Sequence, residues 1–289
     1  MKHFLSINDI DFRSEIVNVD KSARRYPRKE VLYHKKVALL FYEPSTRTSS
    51  SFWAAAKNLH FEVLTINNVQ YSSVAKGETL EDTVQTLGSY VDAIVLRHPE
   101  RGAAAAAAEV SPVPIINAGD GDGEHPTQTM LDLYTIYKQF GTLNDLNIFL
   151  MGDLKYSRTV HSLVRALRGS SHFYGICPPG FELPSEFGDI EHDSDPMETH
   201  ISLEMADVLY MVRTQKERFA KLDFMRMKDN CVMTEEVSGL LNKKAIVMHP
   251  FPRTNELPPW FDTDPRARYF QQMENGLKVR THILKEILL

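Results

Sequence analysis

Cysteine is scarce in this sequence, and its scarcity excludes two ways of stabilising a fold. Cys177 and Cys231 are the two cysteines among 289 residues, and they do not form a Cys-x-x-Cys pair. A disulfide framework or a structural zinc site needs more cysteines at closer spacing. We therefore expect neither, and we expect the reducing environment of the cytoplasm.

Long apolar runs, an export signal and nucleotide-binding motifs are missing as well. No run approaches the ~20 apolar residues of a membrane-spanning helix, and the N-terminus lacks the apolar core of a signal peptide. The net charge of −5 argues against a nucleic-acid partner. Neither Gly-x-x-x-x-Gly-Lys-Ser/Thr nor Gly-x-Gly-x-x-Gly occurs. The hydrophobic fraction of 43% and the charged fraction of 25% indicate a globular protein in solution.

The strongest local signal is the turn after the first predicted strand. Residues 37–42 form an apolar run that predicts a buried strand, and residues 53–59 favour a helix. Residues 44–48 between them read Pro-Ser-Thr-Arg-Thr. Unpaired N–H groups at a helix start attract anions, and Arg47 adds a planar fork suited to phosphate or carboxylate. An ordinary N-cap is the alternative, but a cap requires one hydroxyl and no arginine.

The rest of the chain alternates predicted strands and helices, a pattern that predicts parallel α/β sheets in two halves. Further strands are predicted at residues 61–66, 91–96, 113–116, 147–151, 207–212 and 244–248. Helices are predicted at residues 7–31, 80–90, 103–108, 130–140, 157–167 and 269–289. The helix at 130–140 is expected to join the halves, and residues 178–198 are expected to be loop or weak structure.

Polar side chains cluster where these strands end, which is where ligands bind in parallel sheets. Besides residues 43–48, the candidates are Arg97, residues 124–128, Arg158, Arg213 and residues 249–253. His125 and Gln128 share a face at a helix start, where they can donate to a carbonyl oxygen and accept from an amide. Arginines from two strand ends can grip a dicarboxylate. The acidic residues 120–124 lack calcium-loop spacing, so we assign no metal.

Several segments resemble the aspartate/ornithine carbamoyltransferase family. Residues 45–48 resemble its Ser-Thr-Arg-Thr carbamoyl-phosphate signature. Residues 152–163, 213–219, 248–256 and 264–276 are similar to the members that act on aspartate, and ornithine members carry His-Cys-Leu-Pro where residues 249–252 read His-Pro-Phe-Pro. The resemblance implies transfer of a carbamoyl group from carbamoyl phosphate to L-aspartate, which gives N-carbamoyl-L-aspartate and phosphate in de novo pyrimidine biosynthesis.

The resemblance also implies a role for each matching position. The residues that bind the phosphate are Ser45, Thr46, Arg47 and Thr48. The residues that hold the carbamoyl group are Arg97, His125 and Gln128, with the backbone of Phe251 and Pro252. The residues that hold aspartate are Arg158, Arg213 and Gln215. Ser73 and Lys76 are implied to reach in from a neighbouring subunit of a homotrimer. Catalysis is implied for Arg47, Thr48, Lys76, Arg97 and His125, with no cofactor.

Two domains follow from the same resemblance. A carbamoyl-phosphate-binding domain is expected at residues 1–133 with a helix at about 276–289, and an aspartate-binding domain at residues 134–275. Regulatory chains or other pyrimidine-pathway enzymes remain open as partners. Two alternatives also remain: a transcarbamylase for another amine, against which residues 213–215 and 249–252 argue, and a non-catalytic binding subunit, which typically loses the charged site residues that are present here.

Overall fold

A computed structural model describes residues 3–24, 35–67, 76–197, 202–214 and 231–289. The chain forms two compact units, one of residues 1–134 with 273–289 and one of residues 135–272. The chain leaves the first unit within helix α5 (Pro126–Phe140) and returns within the last helix, Tyr269–Leu288. Within the described ranges, none of the helices has the length and apolar character needed to cross a bilayer.

The first unit is built on a parallel sheet of four strands, which confirms the predicted fold class for this half. The strands are β1 (Lys36–Phe41), β2 (Glu62–Asn67), β3 (Ala93–His98) and β4 (Ile115–Asp120), in the spatial order β2-β1-β3-β4. Strands β1, β3 and β4 are almost entirely buried, as in sheets covered on both faces, whereas β2 at the edge is largely exposed. The accompanying helices are α1 (Phe12–Arg24), α2 (Thr46–Asn58), α3 (Leu80–Gly88) and α4 (Ala103–Val110).

The second unit is built on a parallel sheet of five strands. They are β5 (Asn147–Gly152), β6 (His172–Ile176), β7 (Glu191–Asp193), β8 (Val208–Val212) and β9 (Ile246–Met248), in the spatial order β7-β6-β5-β8-β9. Helices α6 (Arg158–Leu167) and α7 (Glu235–Leu240) belong to this unit. Its core joins β5, β8 and β9 to Leu203, Phe261 and Tyr269.

The structure differs from the predicted secondary structure in the opening helix and in two elements that were not predicted. The opening helix is interrupted, because a capping box between Ser6 and Asp9 closes a single turn at Ile7–Asp9 before α1 begins at Phe12. Strand β6 and helix α7 were not predicted. Strand β6 is only partly buried and so lacks a long apolar run, and α7 spans six residues, too few to show a helical period. The segment 178–198, predicted to be loop or weak structure, contains the three-residue strand β7.

Candidate active site

Three groups of predicted site residues in the first unit lie at one edge of its sheet. Residues 45–48 follow β1, Arg97 lies near the end of β3, and residues 125–128 follow β4. Strands β1, β3 and β4 are neighbours and parallel, so their carboxyl ends meet at the same edge. The fold therefore brings three predicted groups of residues together from distant parts of the chain.

Helix α2 begins without the usual side-chain cap. Ser45 is its N-cap residue, yet its hydroxyl makes no capping hydrogen bond within the described part of the chain. Thr79 and Thr234, at the N-caps of α3 and α7, do accept such bonds from Asp82 and Val237. Those two helices carry acidic residues in their first turns, and α2 carries none. The positive end of the α2 helix dipole is therefore available to interact with an external anion.

Arg97 is held between the two strands that flank β3. Its Nε donates to Glu43 Oε2 at 3.1 Å, and its Nη1 donates to the Ala118 carbonyl oxygen at 3.4 Å. Glu43 follows β1 and Ala118 belongs to β4, so the guanidinium spans the carboxyl edge of the sheet. Burial lowers the pKa of the adjacent His98. Arg97 is therefore a positioned cation at this edge, next to a neutral imidazole at pH 7.

His125 and Gln128 are both buried at the start of α5. The His125 carbonyl oxygen accepts from the N–H groups of Gln128 and Thr129 at 2.9 and 3.1 Å, which makes His125 the N-cap residue. Its Nδ1 lies 3.4 Å from Thr127 Oγ1. Gln128 Nε2 donates to Asp132 Oδ1 at 2.9 Å. Backbone and side-chain bonds thus fix both groups before any substrate arrives.

The turn between β4 and α5 uses its acidic residues as hydrogen-bond acceptors. Asp120 Oδ1 accepts from the Glu124 N–H at 2.9 Å, and Asp120 Oδ2 accepts from the Gly102 N–H at 3.0 Å. Glu124 accepts from the Ser6 hydroxyl at 3.1 Å and from the Ile7 N–H at 3.3 Å. These carboxylates shape the turn that delivers His125 to the edge of the sheet.

The second unit repeats this arrangement at the carboxyl ends of β5, β8 and β9. Arg158 opens α6 shortly after β5, Arg213 directly follows β8, and residues 249–252 directly follow β9. These strands are neighbours in the order β5-β8-β9. Ser157, the N-cap residue of α6, makes no capping bond among the described residues, and no acidic residue occupies the first turn. The hydroxyl of Ser157 lies 3.1 Å from Thr159 Oγ1 instead. The two described helices whose N-cap serine makes no capping bond, α2 and α6, thus each carry a predicted anion-binding arginine, Arg47 or Arg158.

Gly152 allows the ends of β5 and β8 to approach closely. Its φ is +121°, and a Cβ atom there would lie 2.1 Å from the Val212 carbonyl oxygen. No side chain fits that gap, which makes glycine a requirement at the point where Arg213 leaves the sheet. Asp153, the next residue after Gly152, is fully buried and accepts from the Tyr156 N–H at 3.0 Å. The turn into α6 is thereby fixed as well.

A buried imidazole organises the turn after β9. His249 Nδ1 accepts from the Phe251 N–H at 2.8 Å, so the ring proton is on Nε2, which donates to Glu256 Oε1 at 2.9 Å. Burial alone would raise the pKa of Glu256, but hydrogen bonds from His249 and Thr254 outweigh it and lower that pKa to about 2. The Phe251–Pro252 peptide bond is cis. The hydrogen bond from its N–H to His249 holds the backbone of Phe251, one of the two residues predicted to contact the carbamoyl group.

Three of the predicted site residues lie in predicted loops, and the structure describes one of them. Ser73 and Gln215 lie outside the described residues. Lys76 is described and is exposed. Sequence reasoning missed three buried groups: Asp132, Arg280 and Glu256. The four-residue spacing of Gln128 and Asp132 on one helix was a usable signal, whereas nothing local in the sequence pointed to Arg280.

Two family models together match nearly the whole chain. A model described as the carbamoyl-P binding domain of aspartate/ornithine carbamoyltransferase matches residues 2–138. A second, described as the Asp/Orn binding domain of the same family, matches residues 144–287.

Similar proteins carry a consistent name. The aspartate carbamoyltransferase catalytic subunit of Archaeoglobus fulgidus is 44% identical, with 100% of both chains covered. The crystal structure of aspartate transcarbamoylase from Trypanosoma cruzi in complex with N-(phosphonacetyl)-L-aspartic acid has a TM-score of 0.91 at 37% identity, covering 100% of this chain and 96% of the other. The catalytic subunit of the M. jannaschii enzyme has a TM-score of 0.87 at 40% identity, covering 99% and 98%.

Proposed function

This chain belongs to the aspartate/ornithine carbamoyltransferase family, and on that premise we propose how its residues carry out the family's reaction. The enzyme transfers the carbamoyl group of carbamoyl phosphate to the amino group of L-aspartate. The products are N-carbamoyl-L-aspartate and phosphate. The observation that carries the site assignment is the uncapped start of α2, which lies at the same sheet edge as Arg97 and His125.

The first unit binds carbamoyl phosphate. The hydroxyls of Ser45, Thr46 and Thr48, the first-turn N–H groups of α2 and the exposed guanidinium of Arg47 hold the phosphate. No acidic residue in that turn opposes the phosphate charge. Because each contact is to an anion, binding strengthens as negative charge develops on the departing phosphate.

Arg97, His125 and Thr48 stabilise the carbonyl oxygen as it becomes an oxyanion. Arg97 is fixed by Glu43 and Ala118, and His125 by its place at the N-cap of α5, so little reorganisation is needed during the reaction. Gln128 accepts from the amino group of the carbamoyl moiety, and the backbone of Phe251 and Pro252 completes the contacts to that moiety. This preorganisation supplies much of the rate acceleration.

The second unit binds L-aspartate through Arg158, Arg213 and Gln215. Two guanidinium groups from the ends of neighbouring strands match the two carboxylates of a dicarboxylate. The neutral amino group of aspartate attacks the carbamoyl carbon and forms a C–N bond. The bond from carbon to the phosphate oxygen breaks, and the proton released from nitrogen passes to the departing phosphate, the base that the reaction itself provides.

The assembly is a homotrimer with shared active sites, located in the cytoplasm. Lys76 is exposed in its own chain, as expected for a side chain that acts on a neighbouring subunit. Together with Ser73 it contacts the phosphate of that neighbour. The pathway is de novo pyrimidine biosynthesis, in which N-carbamoyl-L-aspartate is an early product.

The test is a colorimetric assay for the ureido product with L-aspartate and L-ornithine in parallel. We expect product with aspartate and none with ornithine. Product with ornithine alone contradicts the assignment of the amine. Absence of product with both amines, in protein that binds carbamoyl phosphate, supports the non-catalytic binding subunit.

A further inference from the structure

A buried carboxylate determines the orientation of the Gln128 carboxamide. Asp132 lies one turn after Gln128 on α5 and is fully buried, and its Oδ1 is 2.9 Å from Gln128 Nε2. A carboxylate accepts hydrogen bonds and donates none, so the amino end of the carboxamide must face Asp132. The other end of the carboxamide, Oε1, is thereby left as an acceptor. Rotating the carboxamide by 180° would place two acceptors against each other in a buried site.

Arg280, on the last helix (α8, Tyr269–Leu288), provides a buried positive charge for this carboxylate. Burial lowers the pKa of Arg280 to about 10, while the field of Asp132 raises it and the field of Arg47 lowers it. The guanidinium therefore stays charged at neutral pH, and its carbon lies 5.4 Å from the centre of the Phe52 ring on α2. Arg280 thus lies within the electrostatic reach of both Asp132 and Arg47.

The backbone of α8 leaves room for this guanidinium. A Cβ atom at Gly276 would lie 2.7 Å from Arg280 Nη1 and 3.2 Å from Leu131 Cδ2. Glycine is one of the least favourable residues inside a helix. A glycine one turn before Arg280 is explained by the volume that the guanidinium occupies. The position of the buried charge is therefore set by packing on three helices.

We propose that Asp132 is a positioning residue that presents Gln128 as an acceptor and so selects carbamoyl phosphate over acyl phosphates that lack an amino group. The inference rests on the proposed role of Gln128. Carbamoyl phosphate offers an N–H donor where acetyl phosphate offers a methyl group. A fixed acceptor bonds to the first and is left unpaired by the second, and such sites discriminate strongly.

The experiment compares the two acyl phosphates in the wild-type enzyme and in Asp132→Asn. The measured quantity is kcat/KM for carbamoyl phosphate against the inhibition constant of acetyl phosphate, both with saturating aspartate. An asparagine can donate or accept, so the Gln128 carboxamide is no longer held in one orientation. We expect a loss of about tenfold for carbamoyl phosphate and a change within about twofold for acetyl phosphate. Equal losses for the two compounds, or no loss for either, overturn the proposal.

Two further variants separate orientation from stability. Asp132→Asn removes a buried negative charge whose field raises the pKa of Arg280, so the double variant Asp132→Asn with Arg280→Met removes both buried charges together. The double variant should lose discrimination between carbamoyl phosphate and acetyl phosphate to the same extent as Asp132→Asn. Tyr134→Phe is the matched control. Tyr134 lies on α5, as Asp132 does, and the substitution removes the hydrogen bond from its hydroxyl to Asp20 on α1. It should lower the melting temperature without changing the ratio between the two acyl phosphates.

The wild-type arm separates this inference from the proposed function. If the wild-type enzyme forms no N-carbamoyl-L-aspartate, the proposed function fails. If it forms product and Asp132→Asn retains full discrimination, the positioning role of Asp132 fails and the proposed function stands. A Tyr134→Phe enzyme that loses discrimination to the same extent also contradicts the proposal, because any weakening of α5 would then suffice.

Discussion

Replacing Glu256 by glutamine tests how the turn after β9 is stabilised. Glu256 is buried, with 6% of its surface exposed, and its partner His249 is fully buried. Its Oε1 accepts from His249 Nε2 and from the Thr254 N–H, each at 2.9 Å, and its Oε2 accepts from the Thr254 hydroxyl at 2.6 Å. Glutamine keeps the volume and an acceptor oxygen, so the substitution removes the charge while preserving most of the packing.

The expected magnitude follows from the pKa of the carboxyl group. The pKa falls from its ordinary 4.5 to about 2 in the folded protein. That difference corresponds to about 3 kcal/mol of stability, at about 1.4 kcal/mol per pH unit. Because the folded pKa is the lower one, this contribution is present above about pH 4.5 and is lost as the pH falls towards about 2. About half of it remains at pH 3.

The assay is unfolding by urea, monitored by the fluorescence of Trp260. Trp53 and Trp260 are the two tryptophans, and Trp53 is half exposed, so a Trp53→Phe background leaves one probe in the second unit. We expect the free energy of unfolding of Glu256→Gln to lie about 3 kcal/mol below its parent at pH 7, and the difference to shrink by about half at pH 3. Glu191→Gln, which removes an exposed carboxylate of the same unit, provides the baseline. A difference that is the same at pH 7 and pH 3 would refute the electrostatic reasoning.

Three further predictions concern the site. Arg47→Ala should lower kcat/KM for carbamoyl phosphate at least about a hundredfold with an unchanged melting temperature, since two charge-assisted bonds are worth about 3 kcal/mol. Lys57→Ala, near the other end of α2, is the control and should retain activity. Equal losses of kcat/KM in the two variants would contradict the role of Arg47. Gly152→Ala should destabilise the protein by more than about 2 kcal/mol in thermal unfolding, because its Cβ would lie 2.1 Å from a β8 carbonyl oxygen; a normal melting temperature would show that the gap opens freely. Subunits with Lys76→Ala and subunits with Arg158→Ala should regain activity when dissociated and reassociated together, and an inactive hybrid trimer verified by native mass spectrometry would place Lys76 outside its neighbour's site.

The sequence by itself determined the architecture and most of the candidate site. Apolar runs alternating with helical segments predict parallel strands, and parallel strands present their carboxyl ends at a common edge. Arg47, Arg97 and His125 could be grouped for that reason, and the structure places them at such an edge. The resemblance of residues 249–252 to the family members that act on aspartate favoured aspartate over ornithine without any coordinates. Local residue order was enough, because each of these signals lies within a few residues of a strand end.

The tertiary structure alone decided which groups support the site. Arg280 and Asp132 are far apart in the chain, and only packing brings the guanidinium into the field of that carboxylate and next to Phe52. Whether Ser45 caps its helix or leaves it open to an anion depends on a hydroxyl orientation that residue type does not specify. Burial and hydrogen-bond geometry are properties of the assembled core. A sequence pattern can therefore name candidate residues for a substrate site, while the buried charges packed behind them are revealed by the fold.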